Sequence, residues 1–178
     1  MKLYEITAPC HFGMEAVLKK EIYDLGYDIK RVEDGRVTFS GDGEAVVRAN
    51  MFLRTAERVL LNLGRFQAVS FEELFQGVGK IPWEDILPKD AKFWVKKAST
   101  AKSKLHSAPD IQSIVKKAIV ERLKKHYHIS WFEENGEAYP LRVFIYKDEV
   151  TIALDTSGEH LHKRGYRRLT SKAPVSET

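Results

Sequence analysis

Residues 14–41 read MEAVLKKEIYDLGYDIKRVEDGRVTFSG, and the spacing of their apolar residues changes partway along. Val17, Leu18, Ile22 and Leu25 recur at helical spacing as far as Gly26, a residue suited to the left-handed end of a helix. Beyond it, DIKRVE and RVTFSG alternate with a period of two around Asp34-Gly35, a pair favoured in tight hairpins. On the N-terminal side, LYEIT (3–7) alternates as a strand. On the C-terminal side, residues 42–59 carry Ala45, Val46, Ala49, Phe52 and Leu53 at helical spacing, and VLLNLGRF (59–66) reads as another strand. The order βαββαβ predicts, for residues 1–66, an antiparallel sheet with both helices on one face, a ferredoxin-like domain.

The pattern resets through Gly64 and the polar turn 67–70. FEELFQGV and PWEDILP predict short helices, and AKFWVKKAS predicts a strand, with Trp94 read as core. Gly77-Val78-Gly79-Lys80 has a piece of a phosphate loop but neither a strand before it nor the rest of a glycine-rich fingerprint, so it is read as a plain turn. After the loop TAKSKLHS comes the strongest helical pattern of the chain. Ser107 stands as its cap, Pro109 and Asp110 lie in its first turn, and Ile111, Ile114, Val115, Ala118, Ile119 and Leu123 form its apolar stripe. PLRVFIYK and EVTIALD then predict two strands joined around Lys147-Asp148. The fold class is α/β of the α+β type, in two domains.

With 43% hydrophobic residues among 178, the chain has enough apolar side chain for real cores. No apolar run is long enough to span a membrane and the N-terminus has no signal core, which suggests a cytoplasmic protein. The single Cys10 leaves no internal disulfide framework; next to His11 it invites a thiolate reading, but neighbouring strand residues face opposite ways, which favours a structural cysteine. His126-x-His128 and His160-x-His162 lack a companion ligand at the usual spacing and are read as surface histidines, not a metal site. No catalytic constellation stands out.

Charge is more informative. Residues 1–66 balance 10 Lys+Arg against 10 Asp+Glu, whereas residues 92–125 hold ten cations and only two acids, Asp110 and Glu121. Such a focused positive field, with Ser, Thr and Lys in a loop before a helix start, suits phosphate contacts. A solvated charged face accounts for it equally well. The C-terminal stretch is also basic, with Lys163, Arg164, Arg167, Arg168 and Lys172 and no acid among them.

KKASTAKSKLHSAPDIQSIVKKAIVERL (96–123), Asp155-Thr-Ser-Gly158 leading into Leu161-His-Lys-Arg-Gly-Tyr-Arg167, and the closing APVSET together resemble the N-terminal half of bacterial THUMP-containing RNA methyltransferases, which include the large-subunit ribosomal RNA guanine-N2 methyltransferases. The resemblance implies a THUMP RNA-binding domain at 67–165, and a linker at 166–178 opening into a Rossmann-like domain that binds S-adenosylmethionine. It implies that the chain stops before that catalytic domain. The implied role is capture of structured, ribosomal RNA for the catalytic domain, through Lys97, Lys102, Lys104, His106, Ser107 and Gln112, with Lys116, Lys163, Arg164 and Arg167 next. Tyr166 either packs the linker or stacks on a base. The alternative is a non-catalytic scaffold whose basic face docks a protein or the chain's own catalytic domain.

Overall fold

The computed structural model describes residues 3–158, 160, 161 and 163. Within them the chain divides into two compact units. One comprises the described residues up to Asn62 together with those from Asp155 on; the other is Leu63–Leu154.

The first unit begins β1 (Tyr4–Pro9), α1 (Glu15–Asp24), β2 (Asp28–Glu33), β3 (Arg36–Gly41), α2 (Gly43–Phe52), and ends in the start of β4 (Leu60–Gln67). Its strands lie in the order β2-β3-β1-β4, each neighbour antiparallel, as the βαββαβ pattern predicts. Ile6 and Ala8 of β1 and Val37 and Phe39 of β3 share one core with Leu18 and Ile22 of α1 and Ala45 and Ala49 of α2. Both helices therefore cover the same sheet face. Asp42 caps α2, its carboxylate accepting from the Ala45 N–H at 3.0 Å. Two side chains assigned to the apolar stripes are exposed instead: Val17 and Phe52. Each helix is only ten residues long and presents a narrow stripe, in which Leu18 and Ile22, and Ala45 and Ala49, already fill the contact.

The second unit takes the rest of β4, then α3 (Phe71–Lys80), a 3₁₀ turn at Trp83–Asp85, β5 (Lys92–Ala101), α4 (Ala108–Tyr127), β6 (Ala138–Tyr146) and β7 (Glu149–Asp155). Strand order is β4-β7-β6-β5, with β5 parallel to β6 and β6 antiparallel to β7. Alternation puts Leu141, Val143 and Ile145 of β6 into the core beside Ile111, Val115 and Ile119 of α4 and Leu74 and Val78 of α3. Gly77-Val78-Gly79-Lys80 is not a turn but the last turn of α3. A Cβ at Gly77 would come within 2.2 Å of the Phe66 ring, so this glycine serves close helix–strand packing rather than a phosphate.

Candidate nucleic-acid interface

β5 is the outermost strand of its unit, so among the described residues one side of its backbone has no strand partner. The register with β6 shifts between Val95 and Lys97, a bulge that breaks the ladder locally. Two side chains of α4 reach back to this strand. Gln112 Nε2 donates to the Val95 carbonyl at 2.8 Å, and Lys116 Nζ donates to the Phe93 carbonyl at 2.5 Å. Lys116 also pairs with Glu134 at 2.6 Å and lies 3.8 Å from the centre of the Phe93 ring. The helix thereby fixes the bulged strand, and the bulge leaves Lys97 exposed.

Beyond β5 the chain enters the lysine loop through Lys102, whose φ of +51° is left-handed. The loop is fastened to the β6–β7 turn, more than forty positions away. Ser103 Oγ donates to the Ala101 carbonyl at 2.8 Å and accepts from the Asp148 N–H at 3.0 Å, while the Lys104 N–H donates to Asp148 Oδ1 at 2.8 Å. Thr100 Oγ1 donates to the Leu105 carbonyl, and Leu105 is buried. His106 Nδ1 stands 2.9 Å from the Lys104 carbonyl. A carbonyl only accepts, so Nδ1 donates in this contact. In the turn itself Lys147 and Asp148 have φ of +49° and +63°, the left-handed pair a two-residue hairpin requires.

Lys97, Lys102, Lys104 and Lys147 are all exposed, and the last three stand on a loop and a turn that hydrogen bonds fasten to each other. Among the described residues none of the four has a carboxylate within ion-pair distance. Ser107 opens α4, but its hydroxyl makes no cap hydrogen bond, contrary to the capping pattern. An N-cap side chain accepts from the second or third helical N–H, and Pro109 removes the first of these.

The residues singled out in sequence therefore separate. Lys97, Lys102, Lys104, His106 and Ser107 gather on the strand end, the loop and the helix start, while Gln112 and Lys116 face the β5 backbone. Lys163 belongs to the first unit. Arg164, Tyr166 and Arg167 lie outside the described residues, as does His162. The sequence reading gave Lys147 only a place in the hairpin turn and left Tyr146 out of the site. The available signal was a lysine at a hairpin position where Asn, Asp or Gly is usual. Trp94 is 38% exposed rather than core, because α4 covers only the other face of β5.

The motif Asp155-Thr-Ser-Gly158 forms a buried polar clasp in the first unit. Arg58 Nη1 donates to both carboxylate oxygens of Asp155, at 3.2 and 2.9 Å, and to the Gly158 carbonyl at 2.8 Å. Ser157 Oγ accepts from the Val59 N–H and donates to Asn50 Oδ1, both at 2.7 Å. Thr156 bonds the Val59 carbonyl through its N–H and its hydroxyl, and accepts from Asn50 Nδ2 at 3.0 Å. Every polar position of the motif is thus engaged in holding the segment after β7 against α2 and the start of β4, and Gly158 supplies a φ of +62°.

Cys10 is buried, and burial, with Glu15 and Glu57 adding to it, pushes its thiol up to about 11, which removes the thiolate reading. Among the described residues no three His, Cys, Asp or Glu side chains come together as a metal site, and no helix is long and apolar enough to cross a membrane.

A model of the RlmL ferredoxin-like domain matches residues 5–60, and one of the THUMP domain matches residues 68–155. The chain is 46% identical over 180 residues to the putative RNA methyltransferase YpsC of Bacillus subtilis, with all of this chain matching 46% of that protein. It is 31% identical over 171 residues to the ribosomal RNA large subunit methyltransferase K/L of Psychromonas ingrahamii, covering 96% of this chain and 23% of the relative. Among solved structures, SMU.472, a putative methyltransferase complexed with SAH, superposes with a TM-score of 0.87 at 43% identity, over 94% of this chain and 45% of that one. The chain spans half or less of the length of each.

Proposed function

We propose that this chain, which belongs to the family joining an RlmL ferredoxin-like domain to a THUMP domain, captures structured RNA for an S-adenosylmethionine-dependent RNA methyltransferase acting in the cytoplasm. The observation that carries the reading is the set of exposed lysines on the loop 101–106 and the adjoining hairpin turn. In this reading Lys97, Lys102, Lys104, His106 and Ser107 meet phosphates and 2′-hydroxyls, the groups through which structured RNA is mainly recognised. Gln112 and Lys116 act from behind, fixing the strand from which the contacts project. Lys163, Arg164 and Arg167 are further contacts in this reading, proposed from the sequence resemblance. The name of one relative supports large-subunit ribosomal RNA as the target, guanine N2 is the position the sequence resemblance implies, and the SAH of a relative's structure supports S-adenosylmethionine as the methyl donor of the whole protein.

Salt dependence tests this reading. Four lysine–phosphate contacts predict a slope of about −3 to −4 in log affinity against log salt, roughly a hundredfold loss between about 50 and about 200 mM. Combining Lys102→Ala with Lys104→Ala should flatten that slope by nearly 2 without moving the melting temperature, because both side chains are exposed. Salt-insensitive binding, or an unchanged slope in the double variant, would favour a protein-docking face instead.

A further inference from the structure

Tyr146 closes β6 on the face opposite the buried residues Leu141, Val143 and Ile145, and it is 37% exposed. Two cations flank its ring: Lys147 Nζ lies 5.5 Å from the ring centre and Lys102 Nζ 5.9 Å. Both lie over the ring at the outer limit of a cation–π contact, an interaction weak enough at an exposed ring for the long lysine side chains to swing off its face. Tyr23 offers a contrast, since the cation beside it among the described residues, Lys19 at 5.7 Å, is simply the residue one helical turn before it. The cations at Tyr146 come from two separate segments, tied together through Ser103 and Asp148.

Both lysines also occupy backbone positions that suit lysine poorly. Lys102 and Lys147 have left-handed φ values, where Gly, Asn or Asp would be easier. Turn chemistry therefore does not account for lysine at either place, whereas a use for the side chain does. Trp94, on β5 opposite Pro140 of β6, is exposed on the same face, so a second aromatic lies farther along it.

We infer that Tyr146, between Lys102 and Lys147, is a stacking site for an unpaired nucleotide: the ring takes the base and the two ammonium groups take the flanking phosphates. The inference deepens the RNA-binding reading and rests on it. Every base has a π face, so such a site is indifferent to sequence, but bases inside a continuous duplex cannot enter it. The site thus selects RNA that carries a loop, a bulge or a free end.

The test compares two fluorescently labelled RNAs at one low salt concentration, a stem with an unpaired loop and a continuous duplex of the same stem, binding the 178-residue chain. Tyr146→Ala should weaken binding of the looped RNA about tenfold or more, as loss of one base–aromatic stack does, and leave the duplex within about twofold. Tyr146→Phe should retain wild-type binding, and 2-aminopurine in the loop should be quenched by the wild type but not by Tyr146→Ala. Lys147→Asn should weaken both RNAs at an equal or higher melting temperature. Equal losses on both RNAs for Tyr146→Ala, or none on either, would overturn the stacking site while leaving RNA binding intact. Failure of the wild type to bind either RNA would remove the RNA reading itself.

Discussion

Asp155→Ala isolates the clasp that the Asp155-Thr-Ser-Gly158 motif builds. The Asp155 carboxylate is fully buried and the Arg58 side chain is 4% exposed, with Nη1 at 2.9 and 3.2 Å from the two carboxylate oxygens. Removing the carboxylate leaves a guanidinium in the interior with no counter-charge and orphans the Ser157 N–H, which bonds Asp155 Oδ1 at 3.2 Å. Breaking one side of a buried pair costs about 3–5 kcal/mol. For a chain of this size each kcal/mol moves the melting point by about 2–4 °C, so the expected fall is about 6–20 °C. Far-UV circular dichroism is the appropriate readout during thermal and urea unfolding. Trp83, Trp94 and Trp131 all belong to the other unit, and their fluorescence reports there. The mechanism makes a second demand. If the uncompensated charge is the cost, Arg58→Met combined with Asp155→Leu should recover most of the loss, the more so because Arg58 Nε has no hydrogen-bond partner among the described residues. A fall of less than about 1 kcal/mol for Asp155→Ala would show that the pair behaves like a surface ion pair. A double variant as unstable as the single would refute the charge argument and assign the stability to the surrounding hydroxyl network.

Three other outcomes follow from the same structure. Glu84 accepts from the Arg122 guanidinium, which holds its carboxyl down at about 2 against an ordinary 4.5. The unfolded chain therefore takes up the proton first, so this contribution is complete above pH 4.5 and is lost as the pH falls toward 2; acid-unfolding curves of Glu84→Gln should lack that component. The Cys10 thiol, buried and raised to about 11, should not react with a thiol reagent at pH 8 until denaturant is added. Gln112→Ala leaves the Val95 carbonyl unpaired at the bulge and should cost about 1–3 kcal/mol in thermal unfolding. That is the reverse of the signature expected of the loop lysines, whose loss lowers binding and spares stability.

Hydrophobic period was sufficient to read the order of elements, because a helix and a half-buried strand impose different spacings on the same kinds of residue. Residues 14–41 declare a helix and a hairpin with no tertiary information, and the excess of cations over residues 92–125 is a property of composition alone. The motif Asp155-Thr-Ser-Gly158 was conspicuous as a string, yet its purpose was not legible, since Arg58, Val59 and Asn50 reach it only in the folded unit. Period assigns a side chain to a face but does not say what covers that face. Trp94 and Val17 were misplaced for that reason, one on the uncovered side of an edge strand and the other beside a narrow helix contact. The same distinction governs the candidate site. Sequence placed Lys97, Lys102, Lys104, Gln112 and Lys116 in one basic segment. Only the tertiary structure turned Gln112 and Lys116 onto the bulged backbone of β5 and brought Lys147 and Tyr146 to the lysine loop, because a hairpin turn more than forty residues away supplies the hydrogen bonds that hold the loop in place.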